Sequence, residues 1–156
     1  MNQIGNYIKV TFFGESHGKY LGVVIDQLPA GISINFDLLD FNLAKRRPKS
    51  KISTGRVETD KYEIISGYKN GLTTGAALTF IVPNKNIISD DYKSFENIPR
   101  PSHSDYPAYI KYNSNNDKSG GGIFSGRLTV LWVIVGSICQ QILEKKDIYI
   151  SSHIES

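Results

Sequence analysis

Sixteen consecutive residues from Leu128 to Leu143 carry no charge, between Arg127 on one side and Glu144-Lys145-Lys146 on the other. The run is long enough for a helix, and a helix of this composition must be covered by something. A membrane span usually needs about 20 predominantly apolar residues. This run is shorter and contains Gln140 and Gln141, so it reads as a helix buried on most sides within a protein core. Its apolar residues form no single stripe, which suits a position between layers.

The rest of the chain supplies the layers. Residues 7–13 and 20–28 read as two strands joined through Gly14-Glu15-Ser16-His17-Gly18, with Pro29-Ala30-Gly31 closing the second. Asn35 or Ser33 can cap a helix through about Arg47, in which Phe36, Leu39 and Leu43 share a face. Pro48 ends that helix, because the residue before a proline is pushed out of the helical region. Tyr62–Tyr68 and Ala76–Val82 read as an antiparallel pair, with Lys69-Asn70-Gly71 as the turn between them. Pro83 to Gly122 shows little regular structure apart from short pieces around 105–112. An irregular stretch of that length usually has a functional reason. A terminal strand is expected over 148–154. The pattern is α+β, an antiparallel sheet packed on helices in a single domain over 1–156.

Composition narrows the function. A chain of 156 residues with a net charge of +3 can bury a core and bind acidic ligands. That charge is too mild for the concentrated basic face a nucleic-acid binder carries. The single cysteine, Cys139, excludes an intrachain disulfide and suits a reducing compartment. With no secretory pattern at the N-terminus, cytoplasm is the expected location and no membrane partner is expected.

Four segments carry groups fit for chemistry. In Gly14-Glu15-Ser16-His17-Gly18, two glycines at a strand end bracket a carboxylate, a hydroxyl and an imidazole that titrates near neutrality. Taken alone it is equally a polar hairpin turn. Lys45-Arg46-Arg47-Pro48 is a basic cluster that also suits a solvated helix C-terminus. Arg100-Pro101-Ser102-His103-Ser104-Asp105-Tyr106 holds an imidazole in a loop stiffened by Pro101 and Pro107. Gly120-Gly121-Gly122-Ile123-Phe124-Ser125-Gly126-Arg127 puts three glycines before a helix start. There the backbone can approach a ligand and free N–H groups attract anions, although a glycine triplet is more commonly a flexible connection.

In this order and approximate spacing the four segments resemble the N-terminal half of chorismate synthase. The resemblance implies two antiparallel sheets enclosing central helices, of which this chain would supply half of a β-α-β sandwich. It implies conversion of 5-enolpyruvylshikimate 3-phosphate to chorismate and phosphate, a 1,4-elimination that requires reduced FMN, with NADPH a possible reductant. His17 would give a proton to the departing phosphate, and His103 would serve as proton donor beside the flavin. Ser16 and Ser125 would form a polar relay. Ile123, Phe124, Ser125 and Arg46 would contact the cofactor, and Arg46, Arg47 and Arg127 would hold the substrate phosphate.

The chain departs from the family pattern at Ile123, at Ser102 and Ser104 beside His103, and at Val130-Leu131-Trp132, where small residues or proline are usual. It is also shorter than the family, so one side of the central helix would lack its cover. A homo-oligomer or a complementary C-terminal half would supply it, and replacing Leu131 or Ile138 by aspartate should then break the assembly. The alternative is a truncated non-catalytic remnant, or a flavin-binding half-module that needs a partner half.

Overall fold

The computed structural model describes residues 2–46, 59–84 and 98–153. Arg47, the Pro48 helix stop and the end of the expected C-terminal strand lie outside the described residues. The chain runs through β1 (Gln3–Ile4), β2 (Lys9–Gly14), β3 (Tyr20–Asp26), α1 (Phe36–Lys45), β4 (Glu63–Ser66), β5 (Tyr68–Lys69), β6 (Leu72–Thr73), β7 (Leu78–Pro83), α2 (Asp105–Lys111) and α3 (Thr129–Glu144). Five strands form one sheet in the order β1-β2-β3-β7-β4, every neighbouring pair antiparallel. The α+β class read from the sequence is the class observed.

Alternation explains which face of the sheet is covered. Side chains along a strand point to opposite faces, and the register aligns the apolar ones. Phe12 pairs with Val23, Val23 with Phe80, and Phe80 with Ile64. Val10, Ile25 and Leu78 form the next row. These rows meet Leu39 and Leu43 of α1 and Leu131, Ile134 and Ile138 of α3 in one buried core. The helices are laced by polar contacts: Gln141 accepts from the Asn35 N–H at 2.7 Å and donates to the Asn35 carbonyl at 3.1 Å. Asn35 also caps α1, its side chain accepting from Leu38 N at 3.1 Å, which satisfies one of the N–H groups a helix start leaves open.

Three expectations are corrected. β4 and β7 do pair, but Asn70-Gly71 does not join them. It closes the separate hairpin β5–β6, with φ of +51° and +85° at the two turn residues, as a tight two-residue hairpin turn demands. Residues 148–153 form no strand, and Ile148, Tyr149 and Ile150 are exposed. A β-branched and aromatic run marks a strand only where a sheet edge receives it.

The third correction concerns α3, which is buried along one face only. Val130, Leu131, Ile134 and Ile138 are inaccessible, while Trp132 is half exposed and Gly136 faces solvent. With the preceding 3-10 turn the helical stretch Gly126–Glu144 is long and apolar enough, by length and composition, to cross a membrane. Its buried face is occupied by the sheet and α1 instead. Leu131 and Ile138 belong to the chain's own core, so an aspartate at either would attack the fold before any assembly. The bulk at the helix start is also accommodated, since Trp132 stacks on Phe12 with ring centroids 4.4 Å apart.

Candidate functional site

The turn between β2 and β3 is held from three directions. Within it, Gly18 N donates to Glu15 O at 3.0 Å. Asn84, just past β7, donates from Nδ2 to the carbonyls of Gly18 at 2.6 Å and Glu15 at 3.2 Å. Ser16 N donates to Gly122 O at 3.2 Å, which ties the turn to the glycine triplet.

Ser16 is buried, and its Oγ lies 3.0 Å from His17 Nδ1 and 3.4 Å from the Ser119 carbonyl. A hydroxyl has one hydrogen. When it goes to Ser119, the oxygen accepts from His17 Nδ1–H, and charging the imidazole then protonates Nε2. Beside the histidine, burial first and Asp117 second raise the Glu15 carboxyl above its ordinary value, so it holds its proton more readily.

The two arginines share one carboxylate. Asp60 Oδ2 accepts from Arg46 Nη1 at 2.7 Å, and Asp60 Oδ1 accepts from Arg127 Nη1. Arg46 Nη2 also donates to Thr129 Oγ1 at 3.0 Å, and Arg127 Nε donates to Asn84 Oδ1 at 3.1 Å. One chain of contacts therefore runs from the His17 turn through Asn84, Arg127 and Asp60 to Arg46. Arg127 Nη2 is buried with no hydrogen-bond partner among the described residues, on a side chain only 8% exposed. A buried donor left unmade costs about 1–3 kcal/mol, and more when charged. Such a group calls for an acceptor, and an anionic oxygen would satisfy it most strongly.

His103 stands on a second wall. It is exposed, and its Nδ1 lies 2.9 Å from the Pro101 carbonyl. A carbonyl only accepts, so Nδ1 carries the hydrogen in this contact and Nε2 is the ring's remaining nitrogen. The loop is clamped by Arg100, which donates from Nε and Nη2 to the Asp105 carboxylate at 2.8 and 2.9 Å, and from Nη2 to the Gly120 carbonyl at 2.8 Å. The Arg100 hydrogen bond holds the Asp105 carboxyl well below its usual range, from 3.8 to about 2.

A group whose pKa falls on folding lends stability that is complete above its unfolded value and lost as pH falls through its folded one. The stability gap between the wild-type chain and Asp105→Asn should accordingly close between pH 3.8 and about 2. Thermal unfolding of both chains across that window checks it; a gap that stays constant would show the pair to be unlinked to folding.

Between the His103 loop and the glycine triplet lies a cavity of about 1070 Å³, lined among others by His103, Tyr106, Tyr109, Ile123, Phe124 and Ser125. It is as large as the roomiest ligand clefts. Ser125 Oγ accepts from Arg127 N at 3.2 Å, so the hydroxyl caps the turn and keeps its own hydrogen to give.

The expected site residues thus divide. His103, Ile123, Phe124 and Ser125 line the cavity, whereas Arg46 and Arg127 stand outside its lining and clamp Asp60. Arg46, expected also at the cofactor, is not among the cavity residues. Ser16 and His17 sit between the two groups, behind Gly120. Asp60 and Asn84 were not foreseen. Nothing in a single sequence distinguishes them from loop polar residues, because their partners lie 14 to 69 positions away. Among the described residues no cluster of metal-ligating side chains occurs.

An arginine clamp with an unmet donor among the described residues, an imidazole turn and an open cavity lie together on one α+β domain. The chain belongs to the chorismate synthase family, whose family model matches residues 8–156. It is 46% identical over 155 residues to a chorismate synthase of Azobacteroides pseudotrichonymphae genomovar. CFP2, covering 99% of this chain and 44% of that protein. It is 47% identical over 146 residues to one of Plasmodium falciparum, covering 93% of this chain and 28% of that protein. A crystal structure of a chorismate synthase superposes with a TM-score of 0.61 at 25% identity, covering 90% of this chain and 35% of that one. The chain spans less than half the length of these relatives.

Proposed function

We propose that this chain takes part in the chorismate synthase reaction, the 1,4-elimination of phosphate from 5-enolpyruvylshikimate 3-phosphate, with reduced FMN in the cavity. The observation that carries the reading is the arginine pair on Asp60, with the unmet Arg127 Nη2 joined through Asn84 to the His17 turn. The electron pair of the breaking C–O bond leaves with the phosphate, and the pair of the C–H bond that breaks with it enters the new double bond as its proton is lost. Arg127 and Arg46 stabilise the charge that gathers on the phosphate. His17, protonated at Nε2, is the acid for that leaving group. Ser16 fixes its ring through Nδ1.

The cavity lining fits a flavin: Phe124, Ile123, Tyr106 and Tyr109 offer apolar and aromatic surface, and His103 and Ser125 offer polar groups beside it. When bound, reduced FMN supplies electron density transiently, so that the reaction has no net redox change. With Nδ1–H held by the Pro101 carbonyl, His103 has Nε2 as the nitrogen that can take up or give a proton, and Ser125 can donate its hydroxyl hydrogen. NADPH as reductant and a cytoplasmic location complete the reading.

A second reading, binding without turnover, is favoured by the half-exposed α3, where Trp132 and Gly136 face outward. A complementary C-terminal half or a second copy of the chain would then have to cover the helix first. Anaerobic titration of the chain with reduced FMN, with and without the enolpyruvyl substrate, tests both readings. Binding with phosphate release that His17→Ala abolishes supports turnover. Binding without release supports the half-module, and no flavin binding overturns both.

A further inference from the structure

The structure assigns Asp60 the role of positioning residue for an anion clamp made of Arg46 and Arg127. The inference rests on the phosphate-handling reading of that pair. Asp60 approaches β4 with φ +47°, a left-handed conformation unusual for a non-glycine residue. Its side chain is 4% exposed, and each carboxylate oxygen takes a different guanidinium. Those guanidiniums come from distant elements, the C-terminal end of α1 and the turn that opens α3. Counted over these three side chains, two guanidiniums and one carboxylate carry one net positive charge, with Arg127 and Asp60 buried and Arg46 partly exposed.

Neither end of the clamp relies on Asp60 alone. Thr129 accepts from Arg46, and Asn84 accepts from Arg127 Nε. With Asp60 on Nη1 and Asn84 on Nε, two sides of the Arg127 fork are taken, and among the described residues Nη2 has no partner. A planar guanidinium fixed at two of its nitrogens cannot rotate its third away. Asp60 therefore determines where the unmet donor is.

This role is separable from charge, because the two predict opposite signs. Removing a carboxylate from between two cations makes the place more positive, so a purely electrostatic residue would weaken anion binding, and Asp60→Asn would strengthen it. A positioning residue does the reverse: Asp60→Asn should bind inorganic phosphate about tenfold or more weakly despite the added positive charge. Asp60→Glu keeps the charge but moves the carboxylate by one methylene, and it too should bind more weakly.

The experiment uses the full chain labelled with ¹⁵N. The guanidinium resonances of Arg46 and Arg127 are recorded without ligand, and inorganic phosphate is then titrated. In the wild-type chain, slowed rotation of the Arg127 guanidinium is expected, and it should be lost in Asp60→Asn. Equal or tighter phosphate binding by Asp60→Asn, or unchanged guanidinium rotation, overturns the inference. If Asp60→Asn does not fold, unchanged phosphate affinity in Asp60→Glu overturns it equally. A wild-type chain with slowed guanidiniums that ignores phosphate defeats the functional reading while the positioning by Asp60 stands; one with freely rotating guanidiniums defeats the positioning.

Discussion

Gly120→Ala is expected to disable the histidine turn while leaving most of the fold in place. A Cβ at residue 120 would lie 2.4 Å from His17 Cε1, 2.6 Å from His17 Nδ1 and 3.2 Å from Ser16 Oγ. The residue also has φ +67°, where an L side chain is strained whatever the space. Strain and overpacking each cost about 1–3 kcal/mol, which a domain stable by roughly 5–15 kcal/mol survives. The imidazole does not keep its place. A misplacement of about 1 Å can cost on the order of 100-fold in rate, so His17-dependent phosphate release should fall by about that factor. The His17 ring resonances and their titration should shift even where no turnover is measured. Gly136→Ala is the control, since a Cβ there meets nothing within 4 Å and alanine favours a helix by about 1 kcal/mol. A Gly120→Ala chain with an unaltered His17 titration would show that the glycine triplet does not shape the site.

Leu131→Asp is expected to unfold the chain outright. Leu131 is 0% exposed, in the core beneath the sheet. Losing its packing costs about 2–5 kcal/mol, and a carboxylate without a partner in that place adds several more or is forced to take up a proton. The sum reaches the whole stability of an ordinary domain. Trp132→Asp, one residue on, removes a half-exposed ring and its stack on Phe12. That costs about 0.5–1.5 kcal/mol beyond lost burial, so the fold should persist. Far-UV circular dichroism separates the two variants, and the solution mass of Trp132→Asp reports whether that face carries a partner. A folded Leu131→Asp chain would mean that the core tolerates a gap under the sheet.

These two neighbours show what the sequence made legible and what it did not. The uncharged run identified a buried helix, but periodicity says only that a helix is apolar. It does not say which of Leu131 and Trp132 a sheet will reach. The apolar, β-branched run Leu21-Gly22-Val23-Val24-Ile25 announced a strand but not which face would be covered, and Asn35 or Ser33 was legible as a helix cap, of which Asn35 is the one that caps α1. Asn70-Gly71 announced a tight turn but not which strands it joins, because local chemistry fixes a turn and tertiary contacts choose its partners.

At the site, His17, His103 and Ser125 stood inside motifs. Asp60 and Asn84 did not, since a carboxylate or an amide acquires meaning only when distant segments are brought to it. Arg46 and Arg127 were legible as cations for an anion. Their common carboxylate was not.

The contacts of Ser16 with Ser119 and Gly122 span more than a hundred residues of chain. Contacts of that separation must first overcome the entropy of closing a long loop, whereas a helix or a two-residue hairpin forms locally. The order of events during refolding follows. Helical signal and the β5–β6 hairpin can return while the histidine turn, the glycine triplet and the arginine clamp are still apart. The joined histidine turn and arginine clamp are then the last features the chain regains, and a nascent chain has most of its secondary structure before it has the candidate site.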